Sequence, residues 1–270
     1  MKLTRIVASL AAAGLMTATL AAQAADMSMG QKKQVQDVVR EYLMQNPDVI
    51  IQALQGYQQK QMEEAKKTIQ KTQDNSPQFV DALFHQANDA MAGNPQGKIT
   101  VVEFFDYQCP HCVDMTPVID SLIKSNPQVK VVFKEFPIRG PISEFASRAA
   151  LAAKEQGKYF QFHVGLMNSK QEPLTQDAIL SIAKSVGLDV EKLKAAMKSD
   201  NVEQQLKANY KLAQQLQLIG TPAFFVAKSD VSKTSPSTAI VFLPGQVDAA
   251  QMSQAIDKVY EQGANYYIRK

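Results

Sequence analysis

A stretch rich in β-branched and aromatic residues, KITVVEFFDY at 98–107, is followed after one residue by the motif CPHC at 109–112. This composition predicts a buried β-strand. The residues after the motif have apolar positions at helical spacing, and VKVVFKEF at 129–136 predicts a second buried strand. The order strand, helix, strand indicates a βαβ unit with two parallel strands, and it places CPHC where the first strand passes into the helix.

The motif contains both cysteines of the 270-residue chain, Cys109 and Cys112. A disulfide between them closes so short a loop that chain entropy predicts only about 2 kcal/mol of stabilisation, so the pair is a poor structural crosslink. A structural zinc site needs four ligands, and His85 and His163 lack zinc-ligand spacing and are expected to be surface or packing residues. Covalent haem attachment would need a histidine where Val113 stands. No metal or cofactor is predicted.

The junction of strand and helix favours redox chemistry, because a thiolate and not a thiol attacks disulfides. Cys109 is predicted at the helix N-terminus, where unpaired N–H groups and the helix dipole favour an anion. Pro110 falls near the first helical position, where its missing N–H is harmless. His111 is expected to stabilise the thiolate further. Cys112 lies about one turn further and is expected to be more buried, so attack is assigned to Cys109 and resolution of a mixed disulfide to Cys112.

A stabilised thiolate also sets the direction of exchange. Each unit by which its pKa falls below ~8.5 stabilises the reduced form by about 1.4 kcal/mol, as long as the pKa stays above the ambient pH. That energy corresponds to about 30 mV for a two-electron couple, so a strongly stabilised dithiol makes the disulfide an oxidant. A histidine at position 111 therefore favours a site that gives disulfides away.

The rest of the chain adds helices and two more strands. Residues 143–218 have apolar positions at the helical period throughout, and turn signals divide them into several helices. Strands are predicted at 220–228 and 238–245, with a polar loop between them. Asp248 is a candidate N-cap for a last helix that ends near residue 262.

The N-terminus has the pattern of a secretory signal peptide. Lys2 and Arg5 precede a short apolar run at 6–22, and the small residues around Ala24 fit a cleavage site. The alternative is a membrane anchor, but the run is short and rich in alanine and threonine for a span of roughly 20 residues. We expect export to the periplasm, with cleavage after Ala24.

The net charge gives no reason to expect a nucleic-acid partner. The full chain has 29 basic and 26 acidic residues, and the segment before the cleavage site contains two of the basic ones. The mature charge is therefore 27 minus 26, or +1, which is far from the strongly basic balance of nucleic-acid binding proteins.

Residues 28–74 are polar, with sparse apolar residues at helical spacing that predict two amphipathic helices. Asn46 is a candidate N-cap and Pro47 a candidate first-turn residue of the second helix. Helices with so little apolar surface are marginal alone. We expect residues 28–60 to associate with the same segment of a second subunit in a homodimer. The alternative is that they pack against their own globular domain.

The motifs resemble the DsbA-like branch of the thioredoxin superfamily over roughly residues 80–262. The likeness rests on CPHC after a buried strand, on the acid six residues before Cys109, on TP opening a late strand, and on the inserted helical block. It implies an α/β thioredoxin-like fold in which the Thr221–Pro222 bond is cis and lies beside the redox pair. It also implies that Thr221 offers backbone groups to an extended substrate peptide.

The same resemblance assigns a role to the acid, Glu103, which in this family is buried near the active site. Lys134 on the next strand is its candidate partner, and together the two side chains could move the proton that Cys112 gains or loses. The alternative is a buried structural ion pair or a strand-end charge, since such pairs imitate functional sites.

The predicted domain organisation follows from these segments. The signal peptide covers 1–24, and a helical dimerisation region with a linker helix covers 25–75. The DsbA-like thioredoxin domain covers 76–262, with its helical insertion at about 141–218. A short C-terminal tail covers 263–270.

Two features of the resemblance bear on the reaction. The catalytic dipeptide favours an oxidase, whereas the N-terminal extension and Thr221 before the proline are more typical of isomerases such as DsbC and DsbG. We therefore expect a periplasmic protein that introduces disulfides into unfolded or misoxidised exported proteins and also isomerises wrong ones. The family implies a membrane redox partner of the DsbB kind and a second of the DsbD kind. The alternative function is a chaperone or binding protein for unfolded exported chains, with the redox site secondary.

Overall fold

The computed structural model describes residues 27–169 and 173–268, with the backbone alone for 262–268. The predicted signal peptide lies outside these residues. The chain forms two compact units, one that ends at Gln61 and one that begins at Met62. None of the helices in the described ranges has the length and apolar character that a membrane span requires.

The first unit contains helix α1 (Met29–Gln45) and the start of helix α2 (Pro47–Asn75), so the helix predicted to begin at Pro47 is confirmed. α1 begins with a capping box, in which the backbone N–H of Gln31 donates to Ser28 Oγ and that of Ser28 donates to Gln31 Oε1. No residue of α1 is buried. Its apolar stripe consists of Val35, Val38, Val39, Tyr42 and Leu43, of which the first four are exposed and Leu43 is half-buried.

The second unit is built on a five-stranded sheet in the order β1-β3-β2-β4-β5. β2 and β3 are parallel, as the βαβ prediction requires, and the other neighbouring strands are antiparallel. The edge strand β1 was not predicted, because its four residues, AMAG, are too few and too small to show a strand pattern. The strands are β1 (Ala90–Gly93), β2 (Ile99–Phe105), β3 (Val129–Glu135), β4 (Ala223–Lys228) and β5 (Ile240–Pro244).

Helices cover both faces of the sheet, and the strand side chains alternate between two apolar cores. Val101 and Phe105 of β2 belong to the larger core, and Val102 and Phe104 belong to the smaller one. The helices of this unit are α3 (Val80–Phe84), α4 (Pro110–Ser125), α5 (Pro141–Ala153), α6 (Tyr159–Met167), α7 (Gln176–Ser185), α8 (Val190–Ala196), α9 (Asp200–Gln215) and α10 (Ala249–Ile268).

The helical block predicted between the strands at 129–136 and 220–228 is confirmed, and it consists of α5 to α9 between β3 and β4. The last helix begins after Asp248, whose carboxylate accepts from the backbone N–H of Gln251 at 2.7 Å, so the predicted N-cap is confirmed. This helix continues to Ile268, six residues past the end expected near residue 262.

The last turns of α2 are fixed to the open edge of β5. Gln73 Nε2 donates to the carbonyl oxygens of Ser237 and Ile240 at 2.9 and 2.6 Å, and Gln73 Oε1 accepts from the backbone N–H of Phe242 at 2.8 Å. The carboxamide thus bonds backbone groups of β5 that a neighbouring strand would otherwise bond. This protects the open edge of the sheet from pairing with other chains. Thr72 Oγ1 also donates to the carbonyl of Leu216 at 2.8 Å.

Candidate redox site

The CPHC motif lies where β2 ends and α4 begins. Cys109 is the N-cap residue of α4, with φ −87° and ψ 114°, and its carbonyl accepts from the backbone N–H of Val113 at 3.1 Å. Pro110 is the first residue of the helix, as predicted. The helix therefore directs its N-terminal dipole at the first cysteine of the pair.

Both cysteines are free thiols, and both are buried with no exposed surface. Cys112 nevertheless lies deeper in the protein than Cys109, as expected from the sequence. Residues far along the chain also cover Cys109, and helix geometry alone could not show this. Attack on a substrate consequently needs a local opening at Cys109.

Thr221 is one of the residues that cover Cys109. Cys109 Sγ donates to the carbonyl oxygen of Thr221 at 3.2 Å, and the Thr221–Pro222 bond is cis, which confirms both the isomer and its place beside the redox pair. Thr221 Oγ1 is buried and has no hydrogen-bond partner within the described residues when both cysteines are thiols. This hydroxyl is available to donate to a thiolate.

The environment separates the two thiols electrostatically. Burial raises the pKa of Cys109, but interactions with the Thr221 side chain, with Cys112 and with the positive charge of Arg139 outweigh it, so this pKa is lowered overall. Burial, followed by the charge of Glu103, raises the pKa of Cys112 well above its ordinary value. Cys109 is therefore the thiol suited to ionise first and attack, as assigned from the sequence.

His111 is exposed on the first turn of α4. Its Nδ1 lies 2.8 Å from Oε1 of Gln246, which precedes α10. The cation that lowers the pKa of Cys109 is Arg139, on the loop after β3. The predicted influence of His111 on Cys109 stays a prediction.

Glu103 is buried on β2, as predicted. Its expected pairing with Lys134 is wrong. In the parallel register Glu103 is opposite Phe133 and Phe104 is opposite Lys134, so the two charged side chains lie on opposite faces of the sheet. Lys134 Nζ instead pairs with Asp89 Oδ2 at 2.5 Å.

A second carboxyl lies on the same face as Glu103. Glu135 lies two residues after Phe133 on β3, so its side chain is on the same face as those of Phe133 and Glu103. Its Oε1 accepts from the hydroxyls of Tyr159 and Tyr107 at 2.8 and 3.3 Å. Burial is the largest influence on both acids and raises the pKa of each to about 8, and the two acids also repel each other. Both carboxyls therefore hold their protons at neutral pH.

The two remaining histidines act in packing and surface contacts. His163 is buried between aromatic rings, and its Nδ1 lies 3.2 Å from the Tyr107 hydroxyl. Burial lowers the pKa of His163 to about 3, so the ring is neutral. His85 lies 3.9 Å from Asp81 on the surface, so neither residue is placed at the redox pair.

Sequence reasoning missed Asp106, which organises the loops around the cysteines. Its Oδ1 accepts from the backbone N–H of Gln108 and from Ser143 Oγ, both at 2.7 Å. Its Oδ2 accepts from the backbone N–H groups of Ile138 and Arg139 at 2.8 and 2.9 Å. The signal was its place three residues before the first cysteine, but three of its four partners, Ile138, Arg139 and Ser143, are more than thirty positions away.

Comparison with known proteins bears on this geometry. A family model described as a DSBA-like thioredoxin domain matches residues 100–257, which include the redox pair, both buried acids and the cis-proline. The chain belongs to the DsbA-like thioredoxin family. A second model, the N-terminal domain of the copper resistance protein ScsC, matches residues 31–64 within α1 and α2. The predicted DsbA-like fold with inserted helices and a helical N-terminal region is confirmed.

Individual DsbA-like relatives agree with this assignment. A thioredoxin-like oxidoreductase from Silicibacter pomeroyi is 39% identical, covers 67% of this chain and 97% of its own, and superposes with a TM-score of 0.60. A linker-deletion mutant of Proteus mirabilis ScsC is 26% identical over 88% of this chain and 99% of its own, with a TM-score of 0.61. The thiol:disulfide interchange protein DsbA of Bordetella parapertussis is 29% identical over 52% of this chain and 68% of its own. Na⁺/H⁺ antiporters also match, and there the chain spans about a fifth of their length.

Proposed function

We propose that this DsbA-like protein is a periplasmic thiol:disulfide oxidoreductase that introduces disulfides into exported proteins and also isomerises wrong ones. The observation that carries the proposal is the contrast between its two thiols. Cys109 lies at a helix N-terminus, 3.2 Å from the Thr221 carbonyl, with a lowered pKa, whereas Cys112 is buried with a raised pKa. A stabilised thiolate favours the reduced protein and so makes its disulfide an oxidant.

In oxidation, a substrate thiolate attacks Cys109 Sγ of the Cys109–Cys112 disulfide. The mixed disulfide forms as the Cys112 thiolate leaves and takes up a proton, for which the neighbouring Glu103 is the candidate donor. The second substrate thiolate then attacks the substrate sulfur of the mixed disulfide and releases Cys109 as the better leaving group. The substrate dithiol loses two electrons and two protons, and the protein gains them as two thiols.

Isomerisation uses the reduced protein. The Cys109 thiolate attacks a wrong substrate disulfide, and a second substrate thiol resolves the mixed disulfide, so no net oxidation occurs. When no substrate thiol resolves the mixed disulfide, Cys112 attacks Cys109 Sγ. The substrate then leaves as a thiol, and the Cys109–Cys112 disulfide forms again. Thr221 and the cis Pro222 are proposed to align the substrate as an extended peptide beside Cys109, because the Thr221 carbonyl contacts that sulfur already.

The proposed substrates are unfolded or misoxidised exported proteins. Reoxidation of the dithiol would come from a membrane partner of the DsbB kind, and a partner of the DsbD kind would keep a fraction reduced for isomerisation. Family membership supports both partners.

We also propose that the protein forms a homodimer through residues 28–60, which lie in the first unit. The α1 stripe has Val38 two-thirds exposed and Tyr42 more than half exposed, and no residue of α1 is buried. A second copy would cover this stripe. Replacing Val38 and Tyr42 by aspartate is expected to halve the mass measured by sedimentation, whereas Arg40→Asp on the opposite face of α1 changes the charge equally and should leave the mass unchanged. An unchanged mass in the double variant would contradict the proposed interface.

Trapping of free thiols in the cell tests the function. A mostly disulfide form of the Cys109–Cys112 pair indicates an oxidase, a mostly dithiol form indicates an isomerase, and a mixture is expected if both activities operate. The Cys109→Ser, Cys112→Ser double variant separates the chaperone alternative. If it still prevents aggregation of unfolded chains and supports their correct folding as well as the wild type, the redox proposal is wrong.

A further inference from the structure

The loop between β3 and α5 carries Arg139, which is exposed close to the redox pair. Within the described residues its guanidinium makes no ion pair or hydrogen bond, and only its backbone is engaged. Arg148 of the same unit differs, since it pairs with both Glu144 and Glu203. Arg139 is therefore a cation near the redox pair that has no acidic partner among the described residues.

The position of Arg139 relative to Cys109 is fixed through one residue. The Asp106 carbonyl accepts from the backbone N–H of Cys109 at 3.0 Å, and the Asp106 carboxylate accepts from the backbone N–H of Arg139 at 2.9 Å. Gln108 Nε2 adds a bond to the carbonyl of Arg139 at 3.3 Å. The backbones of Cys109 and Arg139 are thus held by opposite ends of the same aspartate, which fixes the point from which the arginine side chain extends near the redox pair.

The charge of Arg139 acts on that sulfur, because it is among the causes that lower the pKa of Cys109. A substrate cysteine bonded to Cys109 brings its sequence neighbours to the same rim. Adjacent residues of an extended chain are only about 3.4 Å apart along its axis, within reach of a long arginine side chain. In the loop between β3 and α5, Arg139 follows Ile138, which is exposed and apolar. Of these two exposed residues, only Arg139 can form an ion pair with a substrate.

We propose that Arg139 is a specificity-determining residue that binds an aspartate or glutamate next to the reacting cysteine of the substrate. It also acts as a positioning charge for the Cys109 thiolate. The inference rests on the proposed thiol exchange and adds a substrate class to it, namely extended chains with an acidic residue beside the cysteine.

The test uses the full-length reduced protein and two substrates, each a peptide with one cysteine that is joined to glutathione by a disulfide. The two peptides differ only in the residue next to the cysteine, which is Glu in one and Lys in the other. The wild type should react with the Glu peptide about twofold to fivefold faster at low salt, as expected for an exposed ion pair. The preference should fade at high salt because the charges are screened. Arg139→Gln should abolish the preference and raise the pKa of Cys109, measured by thiolate absorbance, whereas Arg139→Lys should retain most of both.

Lys98→Gln is the matched control, since Lys98 is an exposed cation at the other end of β2. It should leave both the preference and the pKa of Cys109 unchanged. The Arg139 side chain can be replaced without loss of the backbone bonds to Asp106, so folding is preserved. Equal rates for the two peptides in the wild type, or an undiminished preference in Arg139→Gln, would overturn the inference. Failure of the wild type to react with either peptide would instead refute the thiol exchange itself.

Discussion

The carbonyl oxygen of Thr221 lies 3.2 Å from Cys109 Sγ, across 112 positions of sequence. The contact joins the N-terminus of α4 to the turn before β4, so the redox site is completed only when the sheet has formed. It places the Thr221 hydroxyl, which lacks a partner among the described residues, within reach of the thiolate. The chemistry of CPHC therefore depends on a residue outside the motif.

Replacing Thr221 by valine should weaken the protein as an oxidant. The Thr221 side chain lowers the pKa of Cys109, so its loss should raise that pKa and destabilise the reduced form. Each ~1.4 kcal/mol lost makes the reduction potential about 30 mV more negative. Equilibration with glutathione measures the potential. Thr116→Val is the control, because Thr116 Oγ1 donates to the Cys112 carbonyl and should leave the potential near the wild-type value.

Glu103→Gln should change the pH dependence of exchange above about pH 8, where the wild-type carboxyl ionises. The negative charge raises the pKa of Cys112, so its removal should lower that pKa and speed resolution at high pH. Rates of mixed-disulfide resolution between pH 6 and 10 measure this. Identical profiles for variant and wild type would remove Glu103 from proton transfer.

Lys134→Gln should affect stability and leave the pH profile of exchange unchanged. The substitution leaves Asp89 buried without its partner, and breaking such a pair costs about 3–5 kcal/mol. Urea unfolding measures the loss. A shift of the pH profile in this variant would restore the Glu103–Lys134 relay that the sheet register contradicts.

Glu135→Gln should reduce the loss of stability between pH 6.5 and 8. The carboxyl has a pKa of about 8 in the folded protein and 4.5 as a model group, so the unfolded state loses its proton first as the pH rises. The free energy of unfolding then falls by up to about 1.4 kcal/mol per pH unit until the folded group also ionises. His163 is neutral in the folded protein over this range. Urea unfolding at pH 6.5 and 8 should show a smaller difference for the variant, and an equal difference would contradict the assignment.

The sequence was informative wherever a local pattern decided the structure. The strand at 99–105, the helix that begins at Pro110 and the cap at Asp248 follow from composition and from residue types at element ends. The separation of Glu103 from Lys134 depends on the register, in which Ile99 lies opposite Val129. Strands paired from the predicted starts at 98 and 129 would have put both positions on one face, so the local pattern could not decide this point.

Long-range contacts could not be read from local patterns. The bonds of Asp106 to the loop at 138–139, the pairing of Gln73 with β5 and the cover over Cys109 each join segments far apart in sequence. The four-residue strand β1 exists because it pairs with β3, and its own residues give no strand signal. Tertiary pairing therefore supplied what propensity could not.

The most direct test of the account is disulfide transfer from the oxidised protein to a reduced, unfolded protein that contains two cysteines. With equimolar partners, we expect the substrate to gain its disulfide as the Cys109–Cys112 pair becomes a dithiol, measured by mass spectrometry after alkylation. Cys112→Ser should instead accumulate a mixed disulfide through Cys109 when supplied with an oxidised substrate. A substrate that stays reduced beside an intact Cys109–Cys112 disulfide would contradict the account.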